Sequence, residues 1–475
     1  MPRCGSCWCL GVAEGGVVDI LMALLVPVAA FFVGALFVFI PSRLLWNTFA
    51  LLSSINPTSI SVPAGAPAIF SLATVLKTGR HFLQALAAPA TLLLLALAVW
   101  YFFSALWSPR ATGALTTGVA VLGVVAAAAL SAAACDGDPR ALIRRMMIVL
   151  APLAILQSLA TIIFRVNPAI EDSYFRSEFF HLLLGDDAAF LFTTRTNNVT
   201  DPEKAGGLLF VNGNRASMVM AVWALMYLAM WFQRRAAWTL FMAAVCMGGA
   251  LATSSKTAIV LAIIVPVIFF LLPWVVAGAR SPLSVLLGLV LMGGFAFLTV
   301  RLADYLPQAL TGAEQSAEDR ANFANAAAGY FSEQPFFGLG FGGWEAAWAQ
   351  DAHSFGMRPD LPPHNFVIAG WANAGVIAVA LFFAVIAVLV FQYLKLMREA
   401  DSSRQARAFS MQLGAIAWMV AHATFDNTDF YGVPNTIPVF AILVTQAGIL
   451  LRQQKLRAEE RSVATSEARP RLRKS

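Results

Sequence analysis

"LPPHNFVIAGWANAGVIAVALFFAVIAVLVFQYL", residues 361–394, carries one side chain of the Asp, Glu, Lys, Arg or His kind, His364, and then runs thirty residues without another. About twenty apolar residues, rising 1.5 Å each along a helix, cross the roughly 30 Å hydrocarbon core of a bilayer. The stretch predicts a membrane helix with a histidine at its edge. The rest of the chain has the same character: of 475 residues, 59% are hydrophobic and 12% charged, and mean hydropathy is +0.72. That composition excludes an ordinary soluble globular domain.

Apolar windows of spanning length predict an all-α polytopic membrane protein with about 12 transmembrane helices. They fall near 17–40, 46–66, 84–107, 111–134, 142–164, 207–232, 236–252, 257–279, 282–300, 365–394, 408–424 and 433–451. The second is interrupted by Pro57, Pro63 and Pro67, which favours a short or re-entrant segment. The layout is then N-terminal helices over 1–164, a long loop 165–206, helices with basic residues over 207–300, a large loop 301–364, and C-terminal helices over 365–451. Residues 452–475 form a basic tail, poor in aromatics and expected to be disordered beside anionic lipid headgroups.

Charge sets the orientation. With both termini cytoplasmic, Lys and Arg are in excess on the cytoplasmic side, as the positive-inside rule requires. The loop 301–364 holds eight acidic residues against three Lys or Arg and faces the other way, as does 165–206. Residues 1–16 are too polar and short for a cleavable signal peptide. Cys4, Cys7 and Cys9 read as free or reversibly modified thiols in a reducing compartment, and Cys135 and Cys246 as small packing residues, so no disulfide framework is implied.

Several residues on the non-cytoplasmic side carry chemistry. Arg215, in "GLLFVNGNRASM", lies about 12 Å into a span that starts at 207; an arginine at that depth is costly and marks a paired or cavity-lining site. Lys256 follows Ser254 and Ser255, either of which can cap the helix it begins. A lysine added to a positive helix N-terminus suits a phosphate or carboxylate ligand. Arg320 lies on a helix-like stretch, Ala317 to Phe331, and reads equally as a partner of Glu318 or Asp319 or as a ligand contact; Arg301 reads equally as an interfacial anchor or a contact. His364 by itself is as well explained by a hydrogen-bonded helix start. "FFGLGFGGW" has Gly338, Gly340 and Gly343 in G-x-G-x-x-G spacing, but there is no strand–turn–helix context for a dinucleotide, so the glycines predict a tight, closely packed turn.

The stretch from Arg320 through "EQPFFGLGFGGW" to "HNFVIAGWANAG", with "GLLFVNGNRASMVMAV" and "SSKTAIVLAI" upstream, resembles the O-antigen ligase/polymerase superfamily over roughly residues 200–450. The resemblance implies a metal-independent glycosyltransferase of the GT-C kind in a bacterial inner membrane, with its site facing the periplasm and no cofactor. The donor would be a glycan on undecaprenyl diphosphate and the acceptor a saccharide. Arg215 and Lys256 would contact the donor diphosphate, His364 would lie beside the acceptor hydroxyl, Asn365 of the same motif would be a substrate-binding residue, and Arg320 would match the family's loop arginine. Membrane lipids and chain-length or other polysaccharide assembly proteins are the expected partners; nucleic acid is not. Two positions depart from the family pattern. Asn373-Ala374-Gly375 lacks a glutamate two residues before the glycine, and Lys256 stands where arginine is commoner. Polymerisation of exopolysaccharide or O-antigen repeats is the leading reaction, ligation to lipid A core or to protein its rival, and a lipid-linked glycan flippase the rival from another class.

Overall fold

The computed structural model describes residues 42–55, 83, 86–135, 137–184, 204–278, 313–426 and 428–468. Within these, all regular structure is helical apart from one isolated bridge, Asp429 to Gly432. We number the helices α1 (Ser42–Ile55), α2 (Pro89–Ser104), α3 (Ala111–Cys135), α4 (Pro139–Val166), α5 (Pro168–Phe175), α6 (Glu178–Leu184), α7 (Gly213–Arg234), α8 (Ala237–Ala252), α9 (Lys256–Gly278), α10 (Ala313–Glu333), α11 (Gly343–Asp351), α12 (Phe366–Arg398), α13 (Ser403–Ala423) and α14 (Ile437–Ala468).

Six described helices are long and apolar enough to cross a membrane: α3, α4, α7, α9, α12 and the helix from Pro434 that includes α14. Two shorter apolar helices, α2 and α8, accompany them. The chain is an all-α polytopic membrane protein. The spans expected at 17–40 and 282–300 lie outside the described residues, and of the one at 46–66 only the part up to Ile55 is described. Helix α14 continues through Ala468, into the basic tail for which composition predicts disorder. Good helix formers and the i,i+4 pair Lys455–Glu459 at 3.8 Å support that extension.

Helix α7 is the axis of the bundle. It packs on α8 and α13, while α12 packs on α2 and α13, and α14 on α3. Met218, Trp223, Met226 and Tyr227 of α7 are fully buried, and the Tyr227 hydroxyl donates to Met147 O at 2.7 Å. The start of α7 differs from expectation. Residues 207–212 are irregular rather than helical, so Arg215 sits in the first turn and not two turns deep. The reason is local: Gly207 takes φ +77°, and the buried Gln157 satisfies the irregular backbone, donating to Gly206 O at 2.8 Å and accepting from Leu209 N–H at 2.9 Å. Glu171 accepts from Gly206 N–H at 2.9 Å. With these donors and acceptors already used, the helix begins only at the Asn212 cap, whose side chain accepts from Asn214 N–H.

Helix α12 is discontinuous. Ala374 and Gly375 leave helical geometry, with Gly375 at φ +77° and ψ −175°. The glycine-rich turn repairs the break: Leu339 N–H donates to Ala372 O at 2.8 Å, Val376 N–H to Phe336 O at 3.1 Å, and Trp100 Nε1 to Ala374 O at 2.7 Å. A Cβ on Gly338 would overlap Trp371 O, and one on Gly375 would overlap Phe336 O. Gly340 in turn sits against Ser108 Cα, and Phe341 N–H donates to Ser108 Oγ at 2.9 Å. The tight turn predicted from glycine spacing is present, with one change. The third left-handed glycine is Gly342, φ +83°, while Gly343 opens α11.

Gly375→Ala is expected to destabilise the protein by more than the roughly 1 kcal/mol that a left-handed alanine costs, because its φ and ψ are open essentially to glycine alone and a Cβ there also collides with backbone. Gly356→Ala, with φ +65° but open space around it, should show only that conformational cost. Thermal unfolding of both variants in detergent checks the difference, and equal midpoints would remove the steric account.

Candidate functional site

A cavity of about 490 Å³ opens where the amino ends of α7 and α12 meet the segment between α13 and α14. Its polar lining includes Arg215, Glu345, Asn365, Asn373, Asp426 and Asp429, and aromatic rings of Tyr101, Phe366, Phe382 and Phe430 close its apolar side. Each polar group is placed by a local device. Asn365 caps α12: its Oδ1 accepts from Val367 N–H at 2.8 Å and Ile368 N–H at 3.3 Å, and its Nδ2 donates to Thr424 O at 3.2 Å. The cap therefore ties α12 to the segment that carries the two aspartates. Asp429 stands in a tight turn closed by Gly432 N–H donating to Asp429 O at 2.7 Å, with Gly432 at φ +93°.

His364 lies just behind this lining. It follows Pro362 and Pro363, takes a left-handed φ of +48°, and is half-buried with its ring 5.7 Å from Phe323. A non-glycine residue in this conformation is held there by its surroundings, and such strain clusters at functional sites. Burial lowers the His364 pKa below its ordinary value; Asp426 opposes that shift, Arg320 adds to it, and Asp319 opposes it. The imidazole is therefore neutral at pH 7 and retains a lone pair to accept a proton.

Arg320, on α10, is also half-buried. Its Nη2 donates to Phe425 O at 3.2 Å, and its guanidinium lies 5.7 Å from the Phe425 ring. Burial lowers its pKa, while Asp426 and Asp319 both favour its charge. Arg215 meets Asp429 across the cavity. Burial raises the Asp429 pKa, while a hydrogen bond from Tyr431 and the charge of Arg215 pull it back. The Asp429 side chain is exposed and lines the cavity.

The residues singled out from sequence thus have different placements. Arg215 and Asn365 line the cavity. His364 and Arg320 stand at its edge, joined to it through Asp426. Lys256 begins α9 outside the lining, but the preceding Thr253 O would meet a Cβ on Gly213 at 3.1 Å, so the starts of α7 and α9 adjoin. Ser255 rather than Ser254 supplies the cap of α9, accepting from Ala258 N–H at 3.4 Å. Arg301 lies outside the described residues.

Sequence reading missed Asp426 and Asp429. A signal was available: between Asp401 and Glu459 these are the only acidic residues in a largely apolar stretch, and such isolated acids mark functional positions in membrane proteins. Asn373, where the family often has a glutamate, and Asp426 line the same cavity.

Residues 241–383 match the family model described as O-antigen ligase. The matched segment runs from α8 through the break in α12 and includes Lys256, Arg320, the glycine turn, His364 and Asn365, while Arg215, Asp426 and Asp429 fall outside it. No curated protein matches the chain. Over this segment, and in its helical membrane architecture, the chain is similar to the O-antigen ligase/polymerase superfamily, a family of glycosyl-transferring enzymes.

Proposed function

We propose that the protein transfers a glycan from undecaprenyl diphosphate to a saccharide acceptor, polymerising exopolysaccharide or O-antigen repeats at the periplasmic face of a bacterial inner membrane. One observation carries this reading: a single cavity brings the Arg215 cation, the Asp426 and Asp429 carboxylates and the neighbourhood of a neutral His364 together at one end of the bundle.

The reaction is a single inverting displacement. The acceptor hydroxyl gives its proton to His364 as its oxygen attacks the anomeric carbon; the bond from that carbon to the phosphate oxygen breaks, and undecaprenyl diphosphate departs with the electron pair. Its growing negative charge is stabilised by Arg215 and by Lys256 at the adjoining helix start. Without donor, Asp429 balances Arg215; a diphosphate, with more charge and more acceptor oxygens, competes with it. Asp426 stabilises the imidazolium once the proton has moved. Because cationic side chains supply the electrophilic stabilisation, the step is written without a metal. Asn365 holds the start of α12 and hence the adjacent His364.

The broken α12 also supports a second reading, a lipid-linked glycan flippase, since discontinuous membrane helices line transport sites. Purified protein in liposomes with a lipid-linked repeat separates the two. Lengthened glycan with released undecaprenyl diphosphate supports transfer, whereas translocation without new glycosidic bonds supports the flippase. Transfer to lipid A core, but not to a second repeat, would make the enzyme a ligase.

Within the transfer assay, His364→Asn, which tolerates the left-handed backbone, should lower turnover by about 10²- to 10⁴-fold with donor binding retained. Arg215→Gln should weaken donor binding, with Arg215→Lys restoring part of it. Wild-type rates in either variant remove that residue from the mechanism. The pH profile follows from the direction of the His364 shift. The neutral base is present at pH 7 and is lost as pH falls through a pKa below 6.5, so the rate should fall on the acid side. Arg320→Gln removes a cation that favours the neutral ring and leaves Asp426 and Asp319 unopposed, which should move that acid limb to higher pH. An unmoved limb would separate His364 from the titration.

A further inference from the structure

A second cavity, of about 1060 Å³, lies at the opposite ends of α7 and α13 from the glycan site. Arg140, Arg144 and Arg145 of α4, Arg234 of α7 and Arg404 of α13 converge on it, with Asp138 as the one acid of its lining. A topology signal requires only that basic residues lie on one side of the membrane. Here three separate helices bring five of them around one concavity. None of the five forms an ion pair among the described residues, and Arg140 Nε is buried there without a hydrogen-bond partner.

Two further features narrow the ligand. The one carboxylate, Asp138, accepts from Ala141 N–H at 3.0 Å as the cap of α4 and forms no ion pair with the five arginines among the described residues, so one acid faces five cations. The start of α8 also opens on the cavity, and its cap position, Ala236, offers no side chain to the first N–H groups. On one flank the lining becomes apolar: Ile148 is 49% exposed and Trp238 42% exposed. Exposed apolar side chains beside an arginine cluster fit a ligand with an anionic head and a hydrocarbon body.

We propose that this cavity binds the phosphate-bearing headgroup of an anionic membrane lipid, at the face of the bilayer opposite the glycan site. Arginine suits the task because its planar fork pairs with phosphate oxygens in two places at once. Trp238 then lies at the boundary between headgroup and acyl chain, where indole rings are favoured. The site is independent of the transfer reaction and of which substrate the other cavity takes.

Native mass spectrometry of the full-length protein, delipidated in detergent and titrated with phosphatidylglycerol, phosphatidylcholine or inorganic phosphate, tests this. Phosphatidylglycerol should bind the wild type in preference to phosphatidylcholine. The Arg144→Gln/Arg145→Gln variant should weaken that binding by at least about tenfold, while Arg144→Lys/Arg145→Lys retains most of it. The control variant Arg398→Gln/Arg452→Gln removes two exposed cations that do not line the cavity and should bind as the wild type does. Should the glutamine pair fail to fold, exposed Arg404→Gln provides the same comparison. Equal phosphatidylglycerol binding in the cavity variants, or equal loss in the control, overturns the proposal. Stoichiometric binding of inorganic phosphate that excludes the lipid would assign the cavity to a soluble anion instead and overturn it equally.

Discussion

The interlock between the glycine turn and the break in α12 holds the rest of the architecture in place. A helix interrupted inside an apolar bundle leaves carbonyl and N–H groups that lipid cannot satisfy. Here Ala372 O, Ala374 O and Val376 N–H find partners in Leu339, Trp100 and Phe336. Backbone must meet backbone at that distance, and Gly338 and Gly375 are where side chains are excluded. The consequence is that the half of α12 carrying Asn365 and Asn373 is locked to the turn before α11. The same turn anchors Trp344 and Trp348, whose rings stack at 5.9 Å and whose indole N–H groups donate to Leu361 O and Arg358 O. The loop approaching His364 is thereby packed from both sides.

On that frame the electrostatics of the site are a balance of carboxylates and cations around a neutral imidazole. Burial alone would discharge His364 and push Asp429 toward its protonated form. Each is countered by a named opposite charge: Asp426 for His364, and Arg215 for Asp429. Such counterbalanced pairs sit near the point where a ligand charge can tip them, which suits a site that alternately holds and releases a charged ligand.

The bundle carries charge at both ends of α7 in different ways. At its amino end, cations face carboxylates inside a small enclosure with aromatic walls. At its carboxyl end, arginines gather in a larger space with one capped aspartate. The first arrangement sets carboxylates against its cations, whereas none of the five arginines of the second forms an ion pair among the described residues. A substrate that comes and goes fits the first, and a resident anion fits the second.

Much was legible in the sequence because its physical cause is local or compositional. Unbroken apolar windows set helix type and approximate position, as for α3, α4, α9 and α12, and glycine spacing foretold a tight turn. His364, Arg215 and Asn365 stood out because polar groups at span ends are costly and few. What the sequence left open depended on partners distant along the chain. The start of α7 is decided by Gln157 and Glu171, which satisfy residues 206–209 from another helix. Asp426 acts on His364 from a segment that Asn365 ties to the start of α12 through Thr424 O. The pairing of Gly338 with Gly375 has no signature in either motif alone, since the close approach of two backbones is a property of the folded bundle. Hydrophobicity along the chain thus determined which segments enter the membrane, and tertiary structure decided which polar groups share an enclosure, because the burial and charges that tune them come from segments far apart in the chain.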